Sequence, residues 1–511
     1  MKRIVLALLA LSLLSGCAQR FERIDAEAYR VTAAPAAPSD TLRTVPQAAG
    51  EPAFANDPEP AATEAPVVIA TSPAPLSIRT QYKIPDTVSF THAEGNLTIT
   101  GTVPVIVPEV NAIPVYAAEA APFDDDLAQR LYAAIYGDAP AYDYSSGAND
   151  PLTKAELTAM IAAVRDNASL SLHPEGKADQ ISLYEKRLAT APETAERTIL
   201  PIALSDQNIE LRSAGRVIGQ YRGLTLWSTP VHTYGDVFRI CNGLPDPSVT
   251  EGKSTAAKEI LSRYRDAVFC YCRNTGAVQR YLAVRSRDSV LADMTDALQP
   301  DTEVPAVYAM RRTPYEALQL VTKFLKAAGL DEFVPARMHL CGSSSCAQQW
   351  YRIACQKQIG GIPAAPTGPT HGFYRAKESL SFLVGESGIY LIEWKNPLRI
   401  TEQLAPDCTL LPFDEIHAVA AQMLYDTCAG TTVRRTATVL RAELCYDCAA
   451  DRENGATLLP AWHFTFSYGR DNGDDSALPP RTISINALTG EVLSLGVDPL
   501  DDTQYSLTLP M

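Results

Sequence analysis

A pattern that occurs twice in the last 200 residues restricts the fold of this chain more than its composition does. Thr313-Pro314-Tyr315-Glu316 opens a stretch with Leu318, Val321 and Leu325 at helical spacing, and Gly329 closes it. Pro412-Phe413-Asp414 opens a second, with Ile416, Val419 and Met423 on its stripe. Each is followed by strand-like segments that end in a hairpin. In the first, residues 380–384 turn at Gly385-Glu386-Ser387-Gly388 into Ile389-Tyr390-Leu391-Ile392. In the second, Ile483-Ser484-Ile485 turns at Leu488-Thr489-Gly490 into Glu491-Val492-Leu493. The helix starts lie about 98 residues apart and the hairpin glycines Gly388 and Gly490 about 102. The spacing predicts a tandem α-β-β-β repeat, each helix lying across antiparallel strands so that both elements bury their one apolar face.

Upstream, the same α+β character continues. Thr87-Val88-Ser89-Phe90-Thr91 and residues 97–103 alternate as half-buried strands about the turn Glu94-Gly95-Asn96. Pro122-Phe123-Asp124 starts a helix with Leu127, Leu131 and Ile135 on one face and Gly137 at its end. Thr153 with Glu156 forms a capping box for another. Asp124-Asp125-Asp126 reads as N-terminal charge that complements the helix dipole. Residues 223–227 and 235–240 read as strands, and a helical pattern runs over 255–268. The expected organisation is a signal over 1–16, a linker over 17–78, α+β domains over 79–205 and 206–310, and repeat units over 311–400 and 401–511.

The N-terminus supplies an address. Lys2 and Arg3 precede an apolar run over residues 4–14, too short to span a bilayer, as in an export signal. The run ends in Leu14-Ser15-Gly16-Cys17, which resembles the bacterial lipobox. The resemblance implies that Cys17 is acylated and becomes the first residue of the mature chain, since two or more acyl chains anchor a protein that one chain would hold only marginally. The following segment carries nine prolines among Ala, Thr and Glu with hardly an aromatic residue. Such a segment is expected to be a disordered spacer. Localisation is therefore expected at the extracytoplasmic face of the cell membrane, with the lipid bilayer as a partner through Cys17. A net charge of −15 argues against nucleic acid as a partner.

Beyond Cys17 there are ten cysteines, all after residue 240. An even number in an exported chain favours disulfides. Local closure is expected within Cys341/Cys346 or Cys445/Cys448, and Cys241 is a candidate partner for one thiol of Cys270-Tyr271-Cys272. Cys445-Tyr446-Asp447-Cys448 has redox or metal spacing, but a strand-like 439–444 precedes it where a thioredoxin-type site needs the motif to start a helix. His339-x-Cys341 with Cys346 has the makings of half a zinc site but lacks a second pair at ribbon spacing. The seven histidines are scattered without an HExxH motif, and no GxSxG elbow or P-loop is present. His463, among Trp462, Phe464 and Phe466, reads as a satisfied structural histidine. No catalytic residue, cofactor site or metal site is assigned.

The second unit, with Leu459-Pro460-Ala461-Trp462-His463-Phe464 and then the run from Ile483 through Thr489-Gly490-Glu491-Val492, resembles the end of PepSY-like domains and of extracytoplasmic regulators that share their helix-on-sheet arrangement. In those, a polar-x-x-Gly-x-hydrophobic hairpin closes the sheet. The layout of lipobox, Pro-rich linker, the 103–119 segment and the Pro122-Phe123 helix resembles a family of lipoproteins of Gram-positive-type bacteria whose function is unknown. Neither resemblance carries a catalytic residue over. The expectation is a membrane-anchored lipoprotein that binds, regulates or scaffolds an envelope protein or peptide. The alternative is an envelope hydrolase whose site is assembled from residues distant in sequence.

Overall fold

The computed structural model describes residues 76–144, 152–166, 174–205, 209–213, 216–228, 235–243, 267–273, 290–298, 310–342, 349–365, 378–428, 435–450, 455–470 and 480–497. Cys17, the spacer up to residue 75, Cys346 and the 255–266 helical pattern lie outside these residues.

In chain order, α1 (Ile78–Gln81) leads to β1 (Thr87–Glu94), β2 (Leu97–Ile106), β3 (Val115–Ala120) and α2 (Asp125–Tyr136). Then come β4 (Ala141–Tyr142), α3 (Lys154–Asp166), α4 (Pro174–Leu188), β5 (Ile199–Leu200), β6 (Ile209–Ser213) and β7 (Arg216–Tyr221). The strands β8 (Gly223–Trp227), β9 (Val237–Asn242), β10 (Ala267–Cys272) and β11 (Val290–Asp293) precede α5 (Pro314–Ala327). The first repeat continues as β12 (Phe333–Gly342), β13 (Gln349–Ile359), β14 (Ile362–Ala364), β15 (Ser379–Gly385) and β16 (Gly388–Lys395), followed by β17 (Leu398–Ala405). The second is α6 (Phe413–Cys428), β18 (Arg435–Ala450), β19 (Gly455–Arg470), β20 (Arg481–Asn486) and β21 (Val492–Val497).

The duplication is present, with four meander strands per unit where three were expected. After α5, β12, β13, β15 and β16 pair successively antiparallel. After α6, β18, β19, β20 and β21 do the same. The first meander is extended by β11 on β12 and by β10, β9 and β8 beyond β16, all antiparallel. The second is extended by β2, parallel to β18, and by β1, antiparallel to β2. The short strand β14, paired with β13 and with β18, joins the two lobes into one hydrogen-bonded sheet, and β3 pairs with β19 and carries β17. The segment over 79–205 is therefore shared: β1, β2 and β3 pair into the second lobe, whereas α2 packs on the first.

Each lobe has its own core. Ala317, Val321 and Leu325 of α5 and Ala128 and Leu131 of α2 lie over Phe238, Phe269, Leu340, Ile353 and Phe382, with Phe324 edge-on to Phe382 at 5.5 Å. Ile416, Ala420 and Leu424 of α6 lie over Phe90, Leu444, Phe464 and Ile483, with Phe413 edge-on to Trp462 at 4.8 Å. The helix starts follow the sequence. Thr313 and Glu316 make the reciprocal capping box, as do Thr153 and Glu156. The three aspartates each have local work: Asp124 accepts the Leu127 N–H at 2.8 Å, Asp125 accepts that of Leu204 at 2.8 Å, and Asp126 pairs with Arg130 at 3.2 Å.

The β2/β18 contact depends on one glycine. Gly101 has φ of 150°, and a Cβ there would sit 2.7 Å from the Val439 carbonyl oxygen. The parallel ladder shifts register between Thr438 and Ala442 at this point, so the close approach belongs to an irregularity that only glycine accommodates.

Candidate functional site

Strand alternation sorts the sheet side chains into two classes. The helix-facing sides are apolar, whereas Arg239, His339, Arg352, Gln356 and Glu393 in the first lobe, and Glu443, Asp447, His463, Thr465 and Ser484 in the second, are buried polar residues of the strands. Buried polar groups of this density must be satisfied by one another.

The best connected group is on β18, β19 and β20. Cys445 and Asp447, two residues apart, share one face of β18. His463 on β19 places Nε2 3.1 Å from Asp447 Oδ2, and the Ser484 hydroxyl on β20 donates to the same oxygen. Asp447 Oδ1 accepts the backbone N–H of Cys448, and the Cys445 thiol lies beside the His463 ring. Burial raises the Cys445 pKa against the lowering influence of His463, which keeps the sulfur a thiol rather than a nucleophilic thiolate. Burial by itself disfavours the His463 imidazolium. The Asp447 carboxylate bonded to the ring outweighs it and holds His463 above the ordinary histidine range. Cys445 and Ser484 are both 0% exposed. The order Cys, His, Asp is that of a hydrolytic triad, yet its polar atoms are spent on one another, as a structural histidine requires.

Cys445 is a free thiol, so the expected bridge to Cys448 is not formed. Residues three apart on one strand point to opposite faces with their Cα atoms about 10 Å apart, beyond disulfide reach. Cys270 and Cys272 share a face of β10, as alternation demands, and both are free thiols rather than partners of Cys241. They pack with Val237, Leu383 and Leu391. The partner expected for Cys341, Cys346, lies outside the described residues. Arg352 Nη2 lies against the Nδ1 of His339 at 2.5 Å.

An open concavity lies elsewhere, between α6 and the outer strand of its sheet. A groove of about 620 Å³ is lined by Ser89, Phe90, Thr91, His92 and Glu94 of β1, Ile99 of β2, and His417, Ala418, Ala421, Gln422 and Tyr425 of α6. Small side chains at Ala418 and Ala421 leave the space, and aromatic rings fix its walls. His417 stands edge-on to Phe90 at 4.6 Å, and His92 edge-on to Tyr425 at 5.1 Å. Nε2 of both imidazoles is buried without a hydrogen-bond partner. The Glu94 carboxylate lies 3.5 Å from His92 Nε2 but not in hydrogen-bond alignment, so the ion contact does not satisfy that nitrogen. By contrast, an enclosed space of about 20 Å³ beside Cys355, Lys357 and Glu378 holds no more than a water-sized occupant.

Sequence reasoning left His92 and His417 among scattered histidines. They are 325 residues apart and meet because β2 joins β18 in parallel. Alternation at Val88, Phe90 and His92, together with the placing of His417 one residue beyond Ile416, was the available signal.

The fold and groove define an α+β protein of tandem helix-on-sheet units with an open cleft at a sheet edge. No protein-family profile matches the chain, and no curated protein does. Among solved structures, the chain is similar to an uncharacterized protein from Eubacterium rectale, at 12% identity and TM-score 0.43, over 81% of this chain and 94% of that one. It is also similar to the YpeB C-terminal domain of Bacillus megaterium, at 11% identity and TM-score 0.20, over 54% of this chain and 88% of that one. At such scores neither likeness bears on the site.

Proposed function

We propose that this chain is a lipid-anchored extracytoplasmic lipoprotein, attached through Cys17, whose PepSY-like units bind a protein or peptide of the cell envelope and so regulate or scaffold it. The observation that carries the binding part is the open groove between β1 and α6, a concave surface with aromatic walls and unsatisfied polar atoms. The sequence supports the anchoring part through Leu14-Ser15-Gly16-Cys17. The hydrolase alternative draws on the Cys445, His463 and Asp447 alignment, but burial holds that thiol protonated, which favours the binding reading.

The test uses the full chain in its own membranes. A photo-crosslinking residue at Gln422, in the groove wall, is expected to capture a discrete polypeptide, whereas one at Thr102, on the exposed side of β2, captures none. Metabolic fatty-acid labelling is expected to disappear in Cys17→Ala. Equal capture from both positions, or substrate turnover abolished by Cys445→Ala, would overturn the binding reading.

A further inference from the structure

The groove is bounded by a strand edge, and the register of that strand fixes what the edge offers. The Val105 N–H donates to the Asp86 carbonyl at 2.8 Å, one step before the Thr87 and Pro104 pair of the β1/β2 ladder. In an antiparallel ladder only alternate opposed pairs exchange hydrogen bonds. The bonded pairs are therefore Val88 with Val103, Phe90 with Gly101 and His92 with Ile99. Pro104, which has no N–H, falls on a non-bonded position. Thr87, Ser89, Thr91 and Ala93 consequently turn their N–H and C=O groups outward, away from β2.

Among the described residues β1 pairs with β2 alone. Natural sheet edges are blunted by lysine, proline, bulges or shortness. β1 is eight residues of Thr-Val-Ser-Phe-Thr-His-Ala-Glu in unbroken register, with none of these devices. A strand added there would run along the groove, with alternate side chains turned toward the flank of α6. Those side chains would meet the gap at Ala418 and Ala421 and the wall formed by His417, Gln422 and Tyr425. The buried Nε2 of His417 has no partner, and a buried polar atom left unsatisfied calls for an explanation. With the ring proton on Nε2, the acceptor that best answers it is a carboxylate, because the bond is charge-assisted. The chain's charge of −15 does not decide the matter, since fields are screened beyond about 8 Å at physiological salt.

We infer that β1 accepts an extended segment of a partner polypeptide as an added strand, and that this segment carries a carboxylate side chain opposite His417. This rests on the binding role assigned to the groove and specifies its mode and ligand chemistry.

The probe is a capped, fluorescent octapeptide alternating threonine and glutamate, titrated into the full-length chain in detergent. The controls replace glutamate by glutamine or alanine. The glutamate peptide is expected to bind about tenfold more tightly than either control. It should slow amide exchange at Thr87, Ser89, Thr91 and Ala93 while leaving Val88 and Phe90 unchanged. Thr91→Pro removes one outward N–H and no β1/β2 bond, so it should abolish binding without shifting thermal unfolding. His417→Phe should reduce the glutamate peptide to the level of its controls. Equal affinity of the three peptides overturns the carboxylate assignment and leaves the groove as the binding surface. Undiminished binding by Thr91→Pro, binding without protection of the outward amides, or no binding of any peptide overturns strand addition. Crosslinking from Gln422 separately decides whether the groove binds anything.

Discussion

Asp447 is the residue on which the β18, β19 and β20 network turns, and Asp447→Ala is the sharpest perturbation of the fold. Its carboxylate answers three donors: His463 Nε2, the Ser484 hydroxyl and the Cys448 N–H. Truncation leaves His463 Nε2 and the Ser484 hydroxyl in a buried setting and the Cys448 N–H in a partly buried one, where an unsatisfied buried group costs about 1–3 kcal/mol. The hydroxyl can rotate to another acceptor, so the sum is about 3–5 kcal/mol, the range for breaking a buried ion pair by removing one partner. Two lobes with separate cores need not unfold together, so hydrogen exchange resolved by strand is the suitable assay. The backbone of β18 to β20 is expected to open roughly 10²- to 10⁴-fold more often, with β12 and β13 of the first lobe as the unchanged internal reference. The network also has a pH signature. His463 has a raised folded-state pKa, so its contribution is fully present below about pH 6.5, the unfolded value, and is lost as the pH rises through the folded value. Stability of the second lobe should therefore decline above neutrality, and His463→Gln should flatten that decline. Exchange that rises less than tenfold in Asp447→Ala, or equally in both lobes, would refute the reasoning.

Three further outcomes follow from particular contacts. Gly101→Ala forces a Cβ to within 2.7 Å of the Val439 carbonyl at a φ that L residues rarely adopt. It is expected to cost more than about 2 kcal/mol and to loosen β2 from β18, read as new protease cleavage near residue 101. Arg197 holds both oxygens of Glu156, at 2.9 and 2.8 Å, with both side chains largely buried. Arg197→Ala should destabilise α3 and α4 by about 3–5 kcal/mol, and an unchanged local exchange rate there would contradict it. Cys270, pushed up to about 12 by burial, together with Cys272, Cys355 and Cys445, should resist alkylation in the native chain and react fully in denaturant without reductant. Mass spectrometry that recovers them as disulfides would contradict the arrangement.

Much of the architecture was legible because it rests on short-range rules. The Thr313/Glu316 and Thr153/Glu156 boxes, the aspartate run before α2 and the hairpins at Gly388 and Gly490 are decided within a few residues, and each stands where the local pattern placed it. The placing of β1 and β2 was not legible. Their alternation shows a hairpin but says nothing about which sheet receives it, and the parallel junction with β18 joins segments more than 300 residues apart. The groove exists only through that junction, so His92 and His417 had no neighbourhood in the sequence. The cysteines misled for a related reason. Counting them under an exported address argues for bridges, whereas strand direction separates Cys445 from Cys448 and buries Cys270 and Cys272 as small apolar side chains.

The same junction explains why the second lobe has an open flank. Strands lie about 4.8 Å apart, so a sheet of six spans roughly 24 Å, whereas a helix with its side chains is about 10–12 Å across. In the first lobe two helices share the cover: Arg130 of α2 donates to the Ala328 carbonyl at the end of α5, which holds the helices side by side over their strands. In the second lobe β1 and β2 widen the sheet, and among the described residues the helix leading into them, α1, has only four residues. Helix α6 spends its apolar stripe on the centre, with Ile416, Ala420 and Leu424 over the meander, and it reaches β1 only through the flank carrying His417, Ala421 and Tyr425. A sheet wider than its helical cover must expose apolar surface or receive it from elsewhere. Filling the gap from the α6 side, by Ala421→Leu, should thus occlude the groove and weaken peptide binding while leaving the unfolding of the lobe nearly unchanged. A large loss of stability instead would show that the gap is part of the packed core.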